Sequence, residues 1–173
     1  MTRTLVLAVM GLSVAAVSAP LAVHLPVRLI YNPSDSMARG WYRVEPMLDS
    51  RSLRVGDIVL VPLPDTAAAL AAQRGYLPAG TPILKRIGAA APQLVCVRGG
   101  VVRIDGDVVA TARTFDGQLR PLQAWMQCRR LQAGESFLLS VTSPASFDSR
   151  YFGPVPACTV LGVASPMWTW SAP

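Results

Sequence analysis

ILKRIGAAAPQLVCVRGGVVRIDGDVVA, residues 83–110, reads as β-structure from end to end. Short runs of apolar and β-branched residues (Ile83–Ile87, Leu94–Val97, Val101–Ile104) are separated by glycine and proline. Asp105-Gly106 then marks a tight hairpin into Val108–Ala110, because Asp-Gly readily takes the positive φ angles of a two-residue turn. Downstream, Thr111–Gln132 is less regular and predicts a long excursion containing Pro121 and Trp125, after which strands are expected at Ser136–Val141, Cys158–Ala164 and Met167–Trp170. Upstream, Trp41–Val44 and Asp57–Val61 read as strands joined by a polar loop around Asp49-Ser50-Arg51. Asp65-Thr66 can cap a short alanine-rich helix over Ala67–Arg74 that Gly75 ends. Short strands at close spacing predict a mainly β domain, sandwich or barrel-like, with that one short helix. A chain of 173 residues is long enough for one domain with a real core and too short for two of ordinary size.

The apolar excess is concentrated at the N-terminus. Leu5–Val23 runs nineteen residues without a formal charge, while charged residues make up only 15% of the chain. At about 1.5 Å per residue that run just spans the roughly 30 Å of a bilayer's hydrocarbon. Val17-Ser18-Ala19 resembles the end of a secretory signal, but Pro20 after it suits a scissile bond poorly. An uncleaved transmembrane helix within residues 1–30 is therefore expected, with residues 31–173 as a domain on the non-cytoplasmic face.

The formal charge of +6 raises the question of nucleic acid. The arginines are scattered, only Arg129-Arg130 are adjacent, and no aromatic-interleaved basic stripe exists, so no nucleic-acid partner is expected. A basic exterior beside anionic lipid is the simpler account. Cys96, Cys128 and Cys158 form no metal-ligand spacing, so no metal or other cofactor is expected. In an exported domain three cysteines allow one disulfide and one free thiol, with three possible pairings.

Lys85 is the sole lysine, the other fifteen basic residues being arginine. Strand alternation turns it opposite Arg86 within an apolar run. Burial disfavours an ammonium, so a desolvated lysine can become a neutral base, which arginine cannot. The one histidine, His24, sits just after the apolar segment, which disfavours a Ser-His-Asp triad for a hydrolase. Ser36, in Pro33-Ser34-Asp35-Ser36-Met37 where the chain leaves that segment, would need a base within hydrogen-bonding reach to act as a nucleophile. A Ser–Lys pair is the option left. The competing readings are a surface lysine in an arginine-biased chain and an ordinary serine in a turn.

Four segments carry a family resemblance. Asn32-Pro33-Ser34-Asp35-Ser36-Met37 is similar to the nucleophile box of the type I signal peptidases, and Arg54–Val59 resembles their second box. Lys85-Arg86-Ile87-Gly88 resembles the lysine box, and Ser146–Pro154 the terminal Ser-x-Asp-Ser-Arg box. All four stand in the family's order. Gly40-Trp41-Tyr42, Arg74–Pro78 and the Tyr-Phe-Gly-Pro ending of the last box resemble the conjugative-transfer (TraF-type) branch. The Gly-Asp-Asn-Arg usual before the last box is replaced by Thr142-Ser143-Pro144-Ala145.

The resemblance implies a signal-peptidase-like β catalytic core with Ser36 as nucleophile and Lys85 as general base. Ser146 would orient the lysine amine. Ser34 Oγ and the Ser36 N–H would hold the oxyanion, at about 3 kcal/mol per donor. Asp148 and Arg150 would form a supporting ion pair, or else an ordinary strand-end salt bridge. Met37 would line a shallow pocket for small side chains, or else pack in the core. Gly56-Asp57 is expected to be a tight turn, and Cys96 is expected to pair with Cys128. The implied protein is a serine endopeptidase of the bacterial inner membrane, its catalytic domain in the periplasm, acting on a precursor pilin of a conjugation or type IV secretion apparatus, with a trimmed linear or a cyclic pilin as the two outcomes open to it. The alternatives are a general signal peptidase acting on many signal-peptide-bearing substrates, a non-catalytic part of a secretion channel, and a soluble self-cleaving Ser–Lys repressor, which the apolar N-terminus disfavours.

Overall fold

A computed structural model describes residues 9–10, 12–13, 28–47, 53–140 and 142–170. Most of the expected transmembrane helix lies outside the described residues, and so does the choice between anchor and cleaved signal. Among the described residues no helix is long and apolar enough to cross a membrane. Arg28–Ile30, grouped with the apolar segment on sequence, are instead the first residues of a strand.

The strands are β1 (Arg28–Asn32), β2 (Arg39–Pro46), β3 (Ile58–Val61), β4 (Ile83–Ala90), β5 (Leu94–Arg98), β6 (Val101–Ile104), β7 (Asp107–Thr111), β8 (Cys128–Arg130), β9 (Glu135–Leu139), β10 (Val155–Pro156) and β11 (Gly162–Trp170). The helices are α1 (Asp65–Gln73) and the single turn α2 (Ser149–Phe152). Seven strands form a sheet in the order β1-β2-β11-β3-β4-β9-β10, and four form a second in the order β7-β6-β5-β8. The domain is mainly β, as its sequence predicts.

The smaller sheet follows from two consecutive tight hairpins. Gly99 and Gly100 join β5 to β6, Asp105 and Gly106 join β6 to β7, and all four have positive φ, the geometry that matches the twist of paired strands. Its inner face (Val95, Val97, Val102, Ile104) packs with Ala89 on β4 and Phe137 and Leu139 on β9. β3 lies inside the larger sheet with all four residues buried. Ile58 and Leu60 pack with Met37, Tyr42, Val44, Leu84 and Ala164, while Val59 and Val61 pack on the other face with Ile87, Leu138, Val155 and Val160. A strand covered on both faces reads as an unbroken apolar run rather than an alternating one.

Several elements differ from the sequence reading. α1 begins at Asp65 with Pro64 as N-cap and no side-chain cap, so Asp65-Thr66 do not cap it. Its end is as predicted: Gly75 at φ +70° lets its own N–H reach Ala72 O and that of Tyr76 reach Ala71 O, satisfying carbonyls that the last turn would leave open. Cys158 is not in a strand, because Ala157–Thr159 form a 3₁₀ turn. The two strands expected at Cys158–Ala164 and Met167–Trp170 are one, β11, with a register shift between Pro166 and Trp168. Such a shift accommodates a proline that has no N–H for the ladder. The long excursion contains β8, whose Cys128 lies opposite Cys96 on β5, and the two are joined as a disulfide. Cys158 is free and exposed.

Gly40 on β2 has φ +138°, and a Cβ there would run into the Trp168 carbonyl and Thr169 Cα of β11. Gly40→Ala should lower stability by about 2 kcal/mol or more, read as a shift in the urea midpoint, whereas alanine at the open, solvent-side Gly117 should cost much less.

Candidate active site

The loop between β1 and β2 is held by its carbonyls. Asn32, buried at the end of β1, donates from Nδ2 to Ser34 O (2.9 Å), Met37 O (3.2 Å) and Ala38 O (3.1 Å). Thr142 Oγ1 donates to Asp35 O (2.9 Å), and Ser140 Oγ donates to Ser36 O (2.6 Å). Tyr42 OH adds a second bond to Ala38 O (2.7 Å). Every carbonyl from Ser34 to Ala38 is therefore captured by a side chain. Within the loop Ser34 Oγ donates to Asn32 Oδ1 (2.9 Å) and lies 2.9 Å from Ser36 Oγ. With the Ser34 proton committed to Asn32, the Ser36 hydroxyl is the donor to Ser34.

Lys85 stands on β4 opposite Val59 of β3 and is only 4% exposed. Its Nζ donates to Ser146 Oγ at 2.8 Å. Desolvation by burial lowers its pKa from 10.5 to about 8; Asp148 pulls the other way and Arg150 adds a smaller downward push. Ser36 and Lys85 line the same cleft, but in this state each bonds to a neighbouring serine rather than to the other. Catalytic hydrogen bonds that are absent in a free enzyme commonly form only with substrate bound.

Behind Ser146 lies an ion pair sealed from solvent, Asp148 at 0% and Arg150 at 1% exposure. Arg150 Nε and Nη2 reach the two carboxylate oxygens at 2.8 Å each. The same guanidinium donates to the carbonyls of Thr111, Pro144, Ser143 and Ser146. Asp148 also accepts the N–H groups of Arg150, as the cap of α2, and of Ser140. This pair is no surface salt bridge: its bonds fix the polypeptide on both sides of Ser146.

The cleft, about 1050 Å³ in volume, runs from the serine loop past Lys85 to a wall formed by Arg74–Pro78 and part of the long excursion. Asp116 fastens that wall, accepting from Tyr76 OH and from Arg120 Nε at 2.7 Å, with Arg74 nearby. Burial would raise the Asp116 pKa, but the hydrogen bonds from Tyr76, Arg120 and Gln118 together hold it well below the usual carboxylate range.

Met37 does not line the cleft. It is 5% exposed and packs in the core with Tyr42, Val44 and Leu84, because the carbonyl captures on either side turn its side chain inward. Gly56-Asp57 form the expected tight turn, in which Asp57 accepts the Arg54 N–H at 2.9 Å and Gly56 has φ +99°. Asn32, Ser140 and Thr142 hold the site together, and the sequence reading gives none of them a role, though Asn32 and Thr142 stand in segments it quotes. The Asn32 role has a local signal, since an asparagine before a turn commonly bonds the backbone two residues on. Ser140 and Thr142 carry no local signal, lying 104 and 107 positions from the carbonyls they hold. Among the described residues no cluster of His, Cys, Asp or Glu could hold a metal ion.

The chain belongs to the signal peptidase family, peptidase S26, whose family model matches residues 1–170. It is 34% identical over 153 residues to a probable conjugal transfer protein TraF of Sinorhizobium fredii, covering 83% of this chain and 78% of that one. It is 32% identical over 152 residues to the conjugal transfer protein TraF of Agrobacterium tumefaciens, covering 83% and 82%. A plasmid transfer protein TraF of Escherichia coli is 33% identical over 109 residues, 58% of this chain and 61% of that one. Among solved structures, a signal peptidase I of Enterococcus faecalis superposes with a TM-score of 0.41 at 21% identity, covering 66% of this chain and 98% of that one.

Arg150→Met should cost about 3–5 kcal/mol in urea unfolding, because it leaves the Asp148 carboxylate buried without its partner. Lys85→Met tests the linkage. The unfolded amine titrates near 10.5 and the folded one near 8, so between those values the unfolded chain holds the extra proton. This group's contribution to stability is therefore present above pH 10.5 and lost as the pH falls to 8. The variant's stability relative to wild type should fall by on the order of 3 kcal/mol between pH 7 and 10.5.

Proposed function

We propose that this chain is a membrane-anchored serine endopeptidase in which Ser36 is the nucleophile and Lys85 the general base, and that its substrate is a precursor pilin of a conjugation apparatus. The observation that carries this reading is the buried Lys85 amine, its pKa lowered by burial to about 8, held by Ser146 in the cleft that the Ser36 loop also lines. Near pH 8 about half of such an amine is neutral and can accept a proton.

The steps follow from the atoms present. Ser36 Oγ exchanges its bond to Ser34 Oγ for one to Lys85 Nζ, passes its proton to that amine and attacks the scissile carbonyl. The carbonyl oxygen becomes an oxyanion, which the Ser36 N–H and the Ser34 hydroxyl stabilise once the latter turns from Asn32 Oδ1. Lys85 then gives its proton to the departing amine, leaving an ester on Ser36. Water, or an amine of the substrate itself, enters through the same lysine, and the ester resolves to a free acid or to a cyclic peptide. Ser146 keeps Nζ aimed through the cycle, and Asp148 and Arg150 keep Ser146 in place.

The conjugal transfer relatives support a pilin-type substrate. Residues 1–30 are proposed as the anchor of an inner-membrane protein and 31–173 as its periplasmic peptidase domain, with β1 beginning just inside that boundary. In support, Leu29, Tyr31, Trp41, Trp168 and Trp170 are exposed on the neighbouring strands β1, β2 and β11. Tryptophan and tyrosine concentrate where a bilayer meets water.

Ser36→Ala and Lys85→Ala should each lower cleavage of a candidate pilin precursor by more than about a thousandfold, with Tm near that of wild type for Ser36→Ala. In the wild type kcat/KM should rise with pH, pass half-maximum near 8 and then level off, because the active form is the neutral amine. Weighing the product separates its fates, since a cyclic product is lighter by one water than the trimmed linear peptide. Equal cutting of unrelated signal peptides would favour a general signal peptidase.

A further inference from the structure

Asp35 C=O and Ser36 N–H belong to one planar trans peptide unit, in which the two groups point in opposite directions. Whatever fixes the carbonyl therefore aims the N–H. The Asp35 carbonyl accepts from Thr142 Oγ1 at 2.9 Å, across 107 positions of sequence. The neighbouring unit is fixed likewise by Ser140 Oγ on Ser36 O at 2.6 Å. The two hydroxyls lie 3.3 Å apart, and Ser140 Oγ also accepts the Ser143 N–H at 3.1 Å. They form a clamp on the backbone of the serine loop, built from the segment where this chain carries Thr142-Ser143-Pro144-Ala145.

We propose that Thr142 is a positioning residue for oxyanion stabilisation: by holding the Asp35 carbonyl it orients the Ser36 N–H toward the oxygen of the tetrahedral intermediate. The inference rests on the Ser36–Lys85 assignment above. Thr142 touches no reacting atom. Its hydroxyl acts only through the peptide plane, and an N–H turned away from the developing charge gives little stabilisation, since such donors work by being preorganised. Ser140 is buried and bonded to three other groups, so its removal would disturb folding. Thr142 is exposed, which makes it the cleaner probe.

The test compares the full-length wild type with Thr142→Val, which keeps the shape but removes the hydroxyl, and Thr142→Ser, which keeps the hydroxyl. The substrate is a fluorogenic peptide with alanine before the scissile bond, in detergent micelles. The probe of the intermediate is a peptide aldehyde ending in alaninal, whose adduct with Ser36 places an oxygen at the oxyanion position. Thr142→Val should lower kcat about tenfold with KM within twofold, and weaken aldehyde inhibition by a similar factor. Thr142→Ser should retain wild-type values in both assays. Wild-type kcat in Thr142→Val, an equal loss in Thr142→Ser, or a loss confined to KM would overturn the inference. Ser36→Ala run alongside separates the two levels: if it stays active, the nucleophile assignment fails and this inference with it. If it is silent while Thr142→Val is unimpaired, only the clamp is refuted.

Discussion

The contact between Asp148 and Arg150 is the constraint on which the site depends. A buried ion pair contributes little net stability against an apolar packing of the same volume; its value here is that it leaves no bond unmade. The guanidinium ties Thr111, Ser143, Pro144 and Ser146 to one point, and the carboxylate ties in the N–H of Ser140. From that point two arms reach the cleft. One passes through Ser146 to the Lys85 amine, and the other through Ser140 to the Ser36 carbonyl. The Ser36 loop lies between β1 and β2 and Lys85 on β4, yet both are referred to the same fixed pair, so their relative position does not depend on loop stiffness alone.

The cleft's two walls are held by different means. The inner wall belongs to the larger sheet and moves only if the core does. The outer wall, part of the excursion after β7, is held by the polar cluster around Asp116 and by the bond from the Arg113 N–H to Tyr151 OH at 2.9 Å. Because the Asp116 carboxyl stays ionised far below neutral pH, that wall keeps its fastening wherever the lysine can be titrated. Under the proposed mechanism, a change in activity near pH 8 would report on the amine rather than on the Asp116 carboxylate.

Local chemistry was readable in the sequence and long-range closure was not. The β-rich character followed from short apolar runs and from Asp105-Gly106, whose positive φ angles are a property of the dipeptide. Lys85 stood out because it is unique and lies among apolar residues. β8 and the unity of β11 escaped because each is defined by a partner strand: three residues opposite β5 carry no pattern of their own, and Pro166 looks like a break until a register shift absorbs it. For Met37 the sequence leaves a pocket and the core both open, and the core, where it packs with Tyr42, Val44 and Leu84, is what the fold selects. Ser140 and Thr142 lay beyond reach for the same reason, since a hydroxyl that bonds a carbonyl more than a hundred positions away looks like any other.

With one lysine in the chain and that lysine facing the cleft, the protein presents a single side-chain amine to chemistry. Carbon-13 reductive methylation would give one lysine resonance besides that of the amino terminus, requiring no assignment by mutation. Its shift against pH would trace the proton on that nitrogen directly, and peptide entering the cleft would be seen as a change in one line. The signal is single because the other fifteen basic residues are arginine.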